Sequence, residues 1–236
     1  MSQGATAPHP ALIAYPKQAA FGRVLPKNKI YDHAAANTRL KDLFVKQVEQ
    51  IVWAFKLAPE TIHLPERPGV PEIQVFSIHL KTPDLHRDVL RSIDGVIAFP
   101  IVFELTFDGR TQVIAAYKRP SLSGGEVDAS RWVLSDYFAT DWLPVGCERT
   151  AMPVALHMGG LYEQLLYRLI PLPARPQETL AALVARVEQA LAKQRELEKA
   201  TARLEKEKQF NRKVEINAHL RQLKSELQVL TGRESA

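Results

Sequence analysis

A single cysteine, Cys147, is all the thiol chemistry in these 236 residues. That excludes an intrachain disulfide and a thiolate metal cluster, and an intracellular home fits such usage. No run approaches the roughly 18 apolar residues of a membrane span. The opening MSQGATAPHPALIAYPKQAA lacks the charged start and continuous apolar core of a signal peptide, so no membrane is expected and a cytoplasmic location is. Among the seven histidines there is no His-x-x-x-His pair; the closest in sequence are His79 and His86. The Gly-Gly pairs at 124–125 and 159–160 lack the Gly-Lys-Ser/Thr ending of a phosphate loop, although Gly159-Gly160 before a helix could present amides to an anion. Cys147 follows Pro144-Val145-Gly146 with no base placed beside it, which suits a structural thiol better than a nucleophile. No cofactor is expected. Proline and glycine are also missing from Glu178 to Leu230, which removes every ordinary helix breaker from that stretch.

What is present is a chain 46% apolar, enough to bury a core, with a formal charge of +5. Residues 1–60 hold eight Lys/Arg against four Asp/Glu, 61–175 eleven against thirteen, and 176–236 twelve against nine. Both ends are basic, a bias that permits an acidic partner such as nucleic acid. Residues 1–20, rich in Ala and Pro, are expected to form a flexible N-terminus. Leu40, Leu43, Phe44, Val48, Ile51, Val52 and Phe55 recur at steps of three and four, which predicts a helix from about Asp32 to Leu57. PEIQVFSIHL reads as a strand from Ile73 to Leu80, and Thr82-Pro83-Asp84 as the start of a short helix to about Ile93. AFPIVFELTF and TQVIAAYKR flank Asp108-Gly109, the sequence signature of a hairpin, and RWVLSDYFATDWL reads as a further strand. The class is therefore α+β, an antiparallel β-meander with flanking helices and a long C-terminal helical arm. The expected domains are a globular one over 21–175 and the arm over 176–236. Leu204, Asn211, Ile216, Leu220, Leu223, Leu227 and Leu230 mark a coiled-coil seam, in which Asn211 would set register at some cost in stability. The arm must pair with another helix, fold back on itself, or lie along a partner.

Several stretches taken in order resemble a known family: AYPKQAAFGRVLPKNKIYDHA, LKDLFVKQVEQIVWAFKLAPETIHLP, PEIQVFSIHLK, IAFPIVFEL with VIAAYKRP, YFATDW, and EKQFNRKVEINAHLRQLKSEL. This is the bacterial and archaeal family filed as domain of unknown function 4391. The resemblance implies a gene neighbourhood of DNA methyltransferases and large helicases in restriction-like phage-defence clusters. It implies no mechanism.

That neighbourhood directs attention to nuclease chemistry, in which acids from adjacent strands hold a divalent metal beside a lysine. Glu72, Glu104 and Lys118 are the candidates, yet the position two before Lys118 is Ala116 and not an acid. Charges on the edge or solvent face of a half-exposed sheet are the simpler reading, so enzyme activity is not favoured. Lys27, Lys29, Lys118, Arg119 and Arg131 are candidates for a basic rim contacting nucleic-acid backbone. The expected function is a non-catalytic adaptor of an anti-phage complex with a methyltransferase and/or helicase, assembled through the C-terminal coiled coil, self-association included. A DNA-binding specificity or clamp module and a divergent metal-dependent nuclease are the alternatives.

Overall fold

The computed structural model describes residues 9–34, 36–123 and 126–232, and for 122–123 and 126–131 the backbone alone. The chain divides into two compact units, Met1–Leu169 and Ile170–Ala236. The class is α+β, with a mostly antiparallel sheet in the first unit and a long helical region in the second.

The first unit opens with β1 (His9–Ala14), so the expectation of a flexible stretch to residue 20 is corrected from His9 onward. Ala11, Leu12 and Ile13 are buried, and this short apolar run pairs in parallel with the later strand β9 (Arg149–Ala151). Then come β2 (Ala20–Val24), α1 (Lys27–His33), α2 (Thr38–Gln47) and β3 (Val48–Leu57). The single helix expected over 32–57 is thus two helices and a strand. Asn37 starts α2 by accepting the Leu40 N–H at 2.9 Å. The helix gives way at Val48, where β-branched and aromatic residues take over. The misleading spacing has a structural cause: register shifts between Val48 and Gln50, and between Trp53 and Phe55, interrupt strict alternation. Val48 and Ile51, three apart, are consequently both buried, as they would be on a helix.

After α3 (Pro59–Ile62), β4 (Ile73–Leu80) lies where the sequence placed it, and α4 (Arg87–Val96) follows. Strands β5 (Ile101–Phe107) and β6 (Arg110–Ser123) form the Asp108-Gly109 hairpin. Both turn residues have positive φ, 44° and 69°, the requirement of the turn whose twist matches a hairpin. Next are β7 (Glu126–Ala139), β8 (Leu143–Pro144), β9, and α5 (Met158–Tyr167). The main sheet runs β2-β3-β4-β5-β6-β7, with β8 added beside β6. It departs from a pure meander at β4 and β5, which are parallel because α4 carries the chain back between them. Phe44, Ile51, Phe76, Ile78, Val89, Leu90, Ile93 and Phe103 form one core between the sheet and the helices α2 and α4.

The second unit is a hairpin of two long helices, α6 (Leu180–Lys206) and α7 (Phe210–Thr231). At 1.5 Å per residue α6 is about 40 Å long. The chain folds back at Glu207–Gln209 without proline or glycine, because the Glu207 carboxylate accepts the N–H groups of Lys208 and Gln209 at 2.8 and 2.9 Å. Leu180, Leu183, Val184, Val187, Leu220 and Leu223 are buried. The break separates Leu204 from Asn211, so the seam does not run through both. Asn211 is exposed near the start of α7, on the side away from Leu220 and Leu223.

Arg186 ties the base of the hairpin together. It donates to both oxygens of Glu178 at 2.7 Å and to the carbonyls of Pro173 and Leu230 at 2.8 Å. These hydrogen bonds hold the Glu178 carboxyl down at about 2. A depressed folded-state pKa contributes stability above the ordinary carboxylate range and loses it as pH falls. Thermal melts followed by helical circular dichroism should therefore show the advantage of wild type over Glu178→Gln shrinking between about pH 4.5 and 2; a gap that stays constant across that window would refute the pairing.

Candidate functional site

Lys118 is 1% exposed, and its ammonium is directed to the end of α4. It donates to the Asp94 carbonyl at 2.5 Å and to the Ile97 carbonyl, two groups that the helix end leaves without backbone partners. The Asp94 carboxylate stands 3.7 Å away, and the face of Trp132 lies 5.6 Å from the ammonium. A cation at a helix C-terminus also complements the helix dipole. Behind it, the register of β6 and β7 shifts between Ala116 and Lys118, freeing two backbone N–H groups. Ser135 Oγ accepts that of Tyr117 and Tyr162 OH that of Lys118, both at 2.8 Å, while Tyr162 donates to the Ala116 carbonyl at 2.8 Å. Ala116 is 2% exposed in the core, a place that would charge an acid the full penalty of burial.

The acid in this cluster is Asp94, from α4, which sequence reasoning missed because an aspartate in a helix carries no local signal of burial. Its carboxylate accepts from Tyr137 OH, while Arg87 and Arg91 lie over the Tyr137 ring at 5.4 and 5.9 Å. Burial pushes the Asp94 carboxyl up to about 6, against the opposing pull of Tyr137 and Lys118. Burial likewise pushes Lys118 down, and Asp94 opposes it. Perturbed groups of this kind often mark active sites. Here Asp94, Lys118 and Tyr137 are at most 9% exposed and satisfy one another, which is the arrangement of a structural brace.

The other candidates are held elsewhere. Glu104 lies on the opposite face of the sheet from Phe103 and is clamped by Arg149 through two hydrogen bonds of 2.8 and 2.7 Å. Arg149 also donates to the Ile13 carbonyl, fastening β1 to that face. Tyr15 is buried nearby, its hydroxyl without a hydrogen-bond partner among the described residues, and burial together with Glu104 raises its pKa. Glu72 accepts from Gln74 Nε2 at 2.5 Å and stands 3.5 Å from Lys56. Glu72, Glu104 and Lys118 thus have separate partners and do not converge. Among the described residues no group of three His, Cys, Asp or Glu gathers as a metal site. The Gly159-Gly160 amides face a local explanation too, since His157 Nδ1 accepts the Gly160 N–H at 2.9 Å as the cap of α5.

Nor do the five basic candidates form one rim. Lys27 donates to the Val48 carbonyl, and burial lowers its pKa. Val48 pairs with Leu80 at the far end of β4, whereas Lys118 lies beyond Ala116, past the near end of β5. Lys29 is exposed and Arg119 half-buried; Arg131 is in β7 with its side chain outside the described residues. An apolar cleft of about 330 Å³ beside Lys29 is walled by Ile30, Trp53, Phe76 and Phe99.

The second unit has a different surface. A groove of about 640 Å³ opens between α6 and α7 near the turn, lined by Lys199, Arg203, Arg212 and His219 together with Glu196, Glu215 and Ile216. Phe210 is 78% exposed and Val214 49%.

The model of the family described as a domain of unknown function (DUF4391) matches residues 13–227, and the chain belongs to that family. No curated protein and no solved structure matches it. No helix among the described residues is long and apolar enough to cross a membrane.

Lys118→Met should lower global stability by about 3 to 5 kcal/mol, the range for breaking a buried charged pair. Urea denaturation would measure it, and an unchanged midpoint would remove the brace. Because the Asp94 pKa is raised on folding, its contribution is present at low pH and lost as pH rises through about 6. Asp94→Asn should abolish that part of the pH dependence.

Proposed function

We propose that the protein is a non-catalytic cytoplasmic accessory subunit of a restriction-like anti-phage assembly, docking a DNA methyltransferase and/or a helicase through its helical hairpin. The observation that carries this reading is an apolar strip on α7 that faces away from the hairpin's own seam. Ile216, Leu220, Leu223, Leu227 and Leu230 share one side of the helix. At 100° per residue, Val214, Ala218, Ser225 and Val229 fall about 160° to 220° around it, and Phe210 about 120°. All five are exposed, Phe210, Val214 and Val229 at 78%, 49% and 69%.

The leucines that suggested intermolecular assembly are thus on the inward side of a hairpin, and the face left for a partner is the outer one. Its small central residues, Ala218 and Ser225, allow a third helix to approach closely, while Arg221 among them supplies a charge that a partner carboxylate would match. Side chains braced as Lys118, Glu104 and Glu72 are suit a rigid scaffold. The gene neighbourhood that the family resemblance implies supplies the partner class.

Tagged protein purified from its native host, with the surrounding genes intact, should bring down the methyltransferase or helicase. Val214→Asp/Val229→Asp should lose that partner while keeping the wild-type melting midpoint, since both positions are exposed. Retention of the partner by this variant would exclude the strip as the docking face.

A further inference from the structure

The turn end of the hairpin concentrates exposed cations that, among the described residues, no carboxylate holds in an ion pair, although Glu207 acts on Arg203 and Arg212 at longer range. Lys199, Arg203, Lys206, Lys208, Arg212 and Lys213 are all exposed, and among the described residues none is in an ion pair. The base of the same hairpin behaves otherwise: Arg186 is paired with Glu178, and Lys193 with Glu196 and Glu226 at 3.2 and 3.0 Å. Residues 196–215 contain five carboxylates, Glu196, Glu198, Glu205, Glu207 and Glu215, against the six cations. Glu207 already accepts two backbone N–H groups of the turn.

Three of the cations form a row on α6. Lys199, Arg203 and Lys206 fall within about 60° of one another on α6, at axial intervals of about 6 and 4.5 Å. Arg212 faces Arg203 across the groove from α7. We infer that the turn end of the hairpin, through Lys199, Arg203, Lys206, Lys208, Arg212 and Lys213, binds the phosphate backbone of nucleic acid without reading sequence. A polyanion with charges every few ångströms can meet the α6 row and Arg212 at once, and releasing its condensed counterions drives binding. A membrane surface fits less well, because Phe210 is the one large apolar side chain within 199–213 that is strongly exposed, and stable membrane attachment needs a broader apolar face. The inference does not depend on the docking strip, whose Val214 and Val229 it leaves unused.

The test is fluorescence anisotropy of the full chain with labelled oligonucleotides, a duplex of about 20 base pairs and a single strand of about 20 nucleotides, at roughly 50 to 200 mM salt. The expected duplex affinity falls with salt at a log–log slope of about −4 to −5, for five or so phosphates neutralised. Tighter binding of one oligonucleotide than the other identifies which form supplies the backbone, and either supports the site. Arg203→Glu/Arg212→Glu should weaken binding at least tenfold. The milder Arg203→Gln/Arg212→Gln should make the slope shallower by about 2, with circular dichroism unchanged. Lys27→Glu/Lys29→Glu, in the first unit, should leave binding within about twofold of wild type. Absence of binding at low salt, equal binding by the Arg203/Arg212 variants, loss confined to the Lys27/Lys29 variant, or retention on phosphatidylserine vesicles without binding to either oligonucleotide would each overturn the inference.

Discussion

A helix that ends inside a protein leaves carbonyl groups without partners, and this chain answers that constraint with buried cations. Lys118 reaches from β6 to the last carbonyls of α4, and Arg186 reaches from α6 to the last turn of α7. In each case the cation also meets a carboxylate, Asp94 or Glu178, so that its own charge is balanced where water is scarce. The cap joins strand to helix in the first unit and helix to helix in the second. It fixes where α4 sits over the sheet, and so permits the parallel return of the chain into β5.

The same constraint decides what these residues are not free to do. A lysine committed to two carbonyls, an aspartate and an indole face has no proton-donating capacity left for a substrate. Glu104, held by both arms of Arg149, is similarly committed, and its work is to fasten β1 across the back of the sheet. These buried polar residues act on the fold, Lys118 and Asp94 through a chain of bonds that runs from α5 through Tyr162 and the irregularity of β6 to α4.

Much of the fold was legible because local signals agreed with it. The Asp108-Gly109 turn demands positive φ at both positions, and the alternation of Ile73–Leu80 suits a strand with both neighbours in place. The stretch 48–57 was not legible, because bulges convert a strand's two-residue period into a spacing of three that a helix shares. The hairpin turn at 207–209 was hidden for a related reason: Glu207 closes it with its side chain, so neither proline nor glycine is needed to announce it. Lys118 was recognised as a residue of consequence, but its role depends on Asp94, Ile97 and Trp132, brought to it by tertiary structure from distances that no pattern along the chain encodes. Asn211 was misplaced because the seam was extended through a helix break.

The contrast between paired and unpaired charge carries the functional argument furthest. Long, exposed helices remain soluble with many charges, and acids three or four residues from each cation cost a sequence nothing; Lys193 and Glu196 show that this hairpin uses the device. Near the turn acids stand at the same spacings, Glu196 before Lys199, Glu207 after Arg203 and Glu215 after Arg212, yet none closes an ion pair with that cation. Six cations there lie close enough to repel one another, a cost carried by the free protein and relieved when a polyanion or other acidic surface supplies the missing charge. Outward-facing valines on α7 impose a different cost, that of apolar surface left in water, which only an apolar surface relieves. Under the proposed reading, two surfaces of opposite chemistry on one hairpin would serve two different partners.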